Sequence, residues 1–423
     1  METPSVENPI GASVAQRRRP SPVLPPDLIA EILTWLPVVS LLRFRCVSKW
    51  FKTLISSPDF VKAHLRSMKA LSTVKPNRVD RAFRRSLNFV QRLIQPERRF
   101  SGSGGYIHRQ NKPSPPVVDW GSHSWSLESL FNGPRIEVSH RVNVCEGVDN
   151  GGDWVAGSCD GLLCSVLGLY HGVVVWNPST RVMRELPDFD YEISESQMRR
   201  CDKVFGFGYD RQLDDYKVVV VISYPSEDPN RAEEFETQVQ VFALRTTSWR
   251  RIGDFKYGVP SDAEVKFVAG CLYYKVPSFV GEGKEWRDTL VSLDLATEKY
   301  NKVKLPAFDD AGTHWELASF VDRLCVACFD DDNSCEVWVM KEPGVTDAWT
   351  KLFRVDQVVV DAGLHAPLYI SDNGEVLWDN DEDLFIYNSK DNTIRFPTSR
   401  GLSNRDGPPV IYMETLASPN MDH

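Results

Sequence analysis

Apolar positions along the chain change their period once. Residues 1–20 show no apolar period and are rich in Pro, Ser and Arg, which predicts a disordered tail. From Leu24 apolar residues recur every three or four positions. Leu28, Ile29, Ile32, Leu33 and Leu36 predict a helix after Pro25, with Asp27 in its first turn and Pro37 as its stop. Leu41, Leu42, Phe44, Cys46 and Val47 predict a second helix capped by Ser40. Trp50, Phe51, Leu54 and Ile55 predict a third capped by Ser48. Ser57, Pro58 and Asp59 then open a fourth carrying Phe60, Val61, His64, Leu65 and Met68. Helices this short cannot bury so many large apolar side chains among themselves, so a partner is expected to cover part of them.

Residues 69–150 carry little pattern. Beyond 150 the chain breaks into short β-rich runs separated by Gly, Pro, Asn and Asp. Five units share one layout, an apolar strand, a polar turn and a second strand. Taking Trp176, Phe242, Leu293, Trp338 and Ile386 as equivalent, the spacings are 66, 51, 45 and 48. A period near 45–50 with four strands per unit predicts propeller blades, since one blade cannot bury both its faces alone. Six or seven blades are expected, the first one or two drawn from residues 69–150. The strand from Val410 to Glu414 is expected to pair with early β-structure around 87–90, because an open ring would leave exposed edges.

Charge separates the two regions. Residues 1–110 hold 19 Lys and Arg against 7 Asp and Glu, whereas the rest holds 30 against 51. That asymmetry points to different partners for the two parts. The arginine clusters at 17–19, 84–85 and 98–99 lack interleaved aromatics on a recognisable binding fold, so they read as solvated faces and no nucleic acid is expected. The longest uncharged apolar-rich stretch, Leu162 to Pro178, is interrupted by Gly168, His171 and Gly172 and falls short of the ~20 residues that span a bilayer, so no membrane is expected. No apolar leader occupies the first twenty residues, and the nine cysteines are irregularly spaced. Free thiols and a cytoplasmic or nuclear location are expected.

The segment LPPDLIAEILTWLPVVSLLRFRCVSKWFKTLISSPDFVKAHL, from Leu24 to Leu65, resembles an F-box. It has the Leu-Pro start, the second Leu-Pro at 36–37, the Ser-Leu-Leu-Arg run and the Arg-Cys-Val-Ser-Lys run in order. Phe51 departs from the pattern, occupying the position where the family usually has Trp. The resemblance implies docking on the Skp-type adaptor of a cullin-RING ubiquitin ligase through Leu24, Pro25, Ile29, Ile32, Leu33, Leu36, Pro37, Leu41, Leu42, Cys46, Val47 and Phe51. The later segments Ser158–Leu162, Trp176–Arg181, Phe205–Asp210 and Asp214–Val219 resemble the plant F-box-associated domain, often catalogued with kelch-type repeats. Together they imply an α+β multidomain chain, with a short all-α F-box (21–68) and an all-β propeller-like domain (151–416). A linker with the first blade or blades (69–150) lies between, and a short tail (417–423) follows.

Candidate chemistry does not change that picture. Cys325 and Cys328 would point to opposite faces of one strand, which argues against zinc, and Cys335 adds no fourth ligand. The acidic runs at 330–333 and 379–383 lack the glycine and terminal glutamate of a calcium loop. The glycines of 101–105 are not followed by Gly-Lys-Ser/Thr, and 157–161 is no nucleophile elbow. No catalytic, cofactor-binding or metal residue is nominated, and no cofactor is expected. The function implied is substrate recognition for a Skp-cullin-F-box (SCF) ubiquitin ligase whose catalysis is borrowed. The alternatives are a ligase-independent binding or scaffold protein, or a self-incompatibility factor recognising a ribonuclease. Target contacts are expected in the inserted loops 225–236 and 278–288, the second offering Phe279 and Trp286.

Overall fold

The computed structural model describes residues 24–73, 91–96, 122–126, 140–142, 154–167, 172–228, 234–261, 265–277, 279–280, 285–286, 288–307, 314–320, 322–330, 334–341, 349–355, 365–371, 374–379, 384–396 and 409–420. Four helices come first: α1 (Pro26–Leu33), α2 (Val38–Arg45), α3 (Lys49–Ile55) and α4 (Pro58–Thr73). Pro26 occupies the first turn of α1, where a missing N–H leaves nothing unsatisfied. Pro37 directly precedes α2, so Ser40 lies inside the first turn and not at the cap expected for it. The fixed φ of proline starts this helix without a side-chain acceptor. Ser48 does cap α3, accepting from Phe51 N at 3.2 Å, and Ser57 Oγ accepts from Phe60 N at the start of α4. Leu33, Val38, Leu41, Ile55 and Phe60 meet at the centre of the unit, where Leu416 joins them from the other end of the chain.

Five four-stranded antiparallel sheets follow, each from one continuous stretch with its strands in sequence order. They are blade I (154–185), blade II (202–252), blade III (266–303), blade IV (314–355) and blade V (369–395). A further four-stranded sheet is composite: Val410–Met413 pairs with Gln91–Pro96, which continues through Ser122–Ser126 to His140–Val142. Among the described residues five contiguous blades therefore stand where six or seven were expected, and the composite sheet draws on both ends of the β region. The long spacing between Trp176 and Phe242 holds no extra blade. It is taken up by the connection 186–201 and by strands of up to 11 residues in blade II. Closure uses Gln91–Pro96 as the partner strand; residues 87–90 lie outside the described residues.

The five positions taken as equivalent all fall on third strands. Each faces the second strand of its blade in the same way, as Leu163↔Trp176, Val218↔Phe242, Leu272↔Leu293, Val326↔Trp338 and Leu377↔Ile386. The core lies between blades and follows the period-two alternation of a strand buried on both faces. In the strand Asp215–Pro225, Val218, Val220 and Ile222 pack toward blade I, whereas Val219 and Val221 pack toward blade III. Close approach of blade III requires glycine in the first strand of blade II. A Cβ at Gly208 would lie 2.2 Å from the Phe267 ring, and one at Gly206 2.8 Å from Leu272.

Candidate functional site

The nominated docking residues separate into two groups. Leu33 and Leu41, 4% and 0% exposed, fill the interior of the helical unit and support its shape rather than its surface. Ile29, Leu36, Pro37, Leu42 and Phe51 are half-buried around that interior. Leu24, Pro25, Ile32, Cys46 and Val47 are exposed, Ile32 at 52% and Val47 at 68%. Three exposed apolar residues were not nominated from sequence: Leu28, Trp35 and Trp50. Leu28 and Ile32 recur at i and i+4 on α1, the spacing of one helix face, with Trp35 just past the helix end, and that spacing was the signal available for Leu28. Six large apolar side chains, Leu24, Leu28, Ile32, Trp35, Val47 and Trp50, are thus exposed between residues 24 and 50.

The helical unit is held against one end of the propeller. In a four-stranded antiparallel meander the first-to-second and third-to-fourth turns lie at one end. The second-to-third connections and the blade-to-blade connections lie at the other. Lys69 Nζ on α4 is 2.5 Å from Asp160 in the first turn of blade I. Lys62 Nζ is 2.5 Å from Asp214 in the first turn of blade II. Both aspartates hold a left-handed backbone, φ 54° and 53°, which a short polar side chain tolerates. Burial alone would lower the Lys69 pKa; the adjacent Asp160 carboxylate outweighs it and the net shift is upward. Tyr216 also donates to Asp160 at 3.3 Å.

Residues 229–233, 278, 281–284 and 287 of the loops nominated for target binding lie outside the described residues; the strand ends that bracket both loops lie at the opposite end. Pro225 pairs with Phe235, so residues 226–234 form the second-to-third connection of blade II. The corresponding connection of blade III contains a small hairpin in which Phe279 faces Trp286 across two short strands. At the same end Glu316 accepts from the Ala366 amide and lies 3.2 Å from His365 Nδ1, joining blade IV to the start of blade V.

Other candidate chemistry resolves into packing. Cys325 packs toward blade V and Cys328 toward blade III, on opposite faces of one strand, as the spacing predicts. Burial pushes both thiols well above the ordinary range, where they are poor metal ligands. Among the described residues no group of three or more His, Cys, Asp or Glu side chains is arranged to hold a metal. The Trp176–Arg181 segment also acts structurally: Asn177 Oδ1 accepts from the Ser179 and Thr180 amides, while its Nδ2 donates to carbonyls near the C-terminus.

A short helical unit with exposed apolar side chains, fixed to one end of a β-propeller, defines a helix-plus-propeller protein. The F-box domain model matches residues 22–63 and the F-box associated beta propeller domain model matches residues 130–413. The chain belongs to the family of F-box proteins that carry an F-box associated propeller. An F-box/kelch-repeat protein of Arabidopsis thaliana is 27% identical over 408 residues, covering 94% of this chain and 96% of that protein. The Arabidopsis F-box protein CPR1 is 26% identical over 357 residues, covering 79% of this chain and 73% of that protein. A third Arabidopsis F-box protein is 24% identical, covering 87% of this chain and 83% of its own length. This architecture is that of substrate-recognition proteins, and it is typical of non-catalytic adaptors.

Proposed function

We propose that this chain is the target-receptor subunit of an SCF-type ubiquitin ligase, working in the cytosol or nucleus. The observation that carries the reading is the exposed apolar face of the F-box helices, centred on Leu28, Ile32, Trp35, Val47 and Trp50. Burying such a face against a Skp-type adaptor removes it from water and links the chain to a cullin-RING scaffold. The propeller end remote from the helices is then free to hold a target protein. The chain's contribution to rate is proximity: it holds the target near the charged ubiquitin-carrying enzyme, converting a bimolecular encounter into an intramolecular one.

The test is coexpression of the full chain with a Skp-type adaptor. Ile32→Asp combined with Val47→Asp places charge on two exposed positions and leaves the helical interior intact. Adaptor capture is expected to be lost with an unchanged melting temperature. Capture equal to the parent's would favour the ligase-independent scaffold reading. Substituting Leu33 or Leu41 would not serve, because both are interior and their loss would unfold the helices.

A further inference from the structure

The C-terminal segment 409–420 serves both domains at once. Val410–Met413 is the strand that completes the composite sheet of the propeller. It lies against the first strand of blade I, near the propeller axis. Glu414, Thr415, Leu416 and Ala417 follow it and are all buried. Asn177, wholly buried in blade I, donates to the carbonyls of Thr415 at 3.0 Å and Ala417 at 2.8 Å. Thr415 Oγ1 donates to the Asp160 carbonyl at 2.6 Å, and Arg184 donates to the Pro419 carbonyl at 3.3 Å. Gly161, with φ +83°, clears the way: a Cβ there would lie 2.4 Å from the Met413 carbonyl and from Thr415 Oγ1. Between these anchors the Leu416 side chain turns away from the propeller into the cluster of Leu33, Val38, Leu41, Ile55 and Phe60.

The geometry points to a coupling device: the F-box interior is completed only when the propeller ring has closed, so adaptor docking is conditional on a closed propeller. The docking half of this statement rests on the function proposed above; the coupling of helices to ring closure does not. A chain whose ring is open has no fixed strap. It leaves Leu416 outside the helices and presents the adaptor with a loosened face. The device would keep incompletely folded receptors out of the ligase.

Two variants of the full-length chain separate the possibilities. Leu416→Asp removes the plug from the helical side. Asn177→Ala releases the strap from the propeller side, by a residue that does not belong to the helical cluster. Amide hydrogen exchange across α1–α3 is the primary readout, with exchange in blades III and IV as the internal check of folding. Both variants are expected to accelerate exchange at α1–α3 by about tenfold or more while blades III and IV stay protected. Affinity for a Skp-type adaptor is expected to weaken by a similar factor. Unchanged exchange in α1–α3 in both variants would overturn the coupling. If the parent chain fails to bind the adaptor yet its helices loosen in both variants, the coupling stands and the docking reading falls.

Discussion

Lys217 Nζ lies 2.8 Å from the Asp210 carboxylate, and the two side chains are 1% and 0% exposed. The ammonium also donates to the Leu295 carbonyl at 2.6 Å, so this pair ties blade II to blade III. Burial alone would raise the Asp210 pKa; Lys217 and the Leu213 and Gln212 amides reverse that and hold it below the usual value. Replacing Lys217 by Met leaves a carboxylate buried without its partner, a change that costs about 3–5 kcal/mol. Urea unfolding followed by tryptophan fluorescence is expected to show that loss. A midpoint within error of the parent's would mean that Asp210 finds compensation elsewhere.

Gly208 is required by the close approach of the Phe267 ring. Gly208→Ala forces that ring aside, and overpacking of this kind costs about 1–3 kcal/mol. A lowered melting temperature with an unchanged far-ultraviolet spectrum is the expected result. Equal stability would show that blade III shifts freely against blade II.

Acid stability has an identifiable contributor in Glu316. Burial would raise its pKa, but hydrogen bonds from His314 and His365, with the Ala366 amide, outweigh it and carry the value from 4.5 down to about 2. The folded pKa lies below the unfolded one. The carboxylate therefore contributes its full stability above about pH 4.5 and loses it as pH falls toward about 2. The unfolding midpoint of the parent is expected to fall across this window more steeply than that of Glu316→Gln. Parallel curves would remove Glu316 from the acid response.

For the target end, Phe279→Ala combined with Trp286→Ala is expected to weaken capture of a target while leaving adaptor binding and melting temperature unchanged. Trapping under proteasome inhibition, with the parent and the double variant compared by quantitative mass spectrometry, supplies the measurement. Equal target recovery by both chains would exclude this hairpin from recognition.

The helices and the third strands of the blades were legible because each writes a period into the sequence: three to four for α1–α4, and two with a regular recurrence for Trp176, Phe242, Leu293, Trp338 and Ile386. Ile32 and Val47, nominated from the motif, are exposed, whereas the interior placement of Leu33 and Leu41 was not legible. A helix periodogram marks an apolar face without saying which part another element of the same chain will cover. The composite sheet was legible in outline, because an open ring would leave exposed edges and Val410–Met413 was expected to pair with early β-structure; the register on Gln91–Pro96 was not, because residues 69–150 carry little pattern. The strap from Glu414 to Ala417 was invisible for a related reason. Asn177 reads as a turn residue, and nothing local tells that its amide nitrogen holds carbonyls some 240 residues away.

Leu416 is synthesised about 360 residues after Ile55, the last member of the cluster in α3. At about 5–20 residues per second, the first helices wait on the ribosome for roughly 20 to 70 seconds before their plug emerges. Through that interval their apolar interior, and not only their docking face, is open to whatever binds hydrophobic nascent chains. A chain truncated by premature termination anywhere between the helices and Leu416 would carry the whole F-box sequence and still lack the residue that seals it.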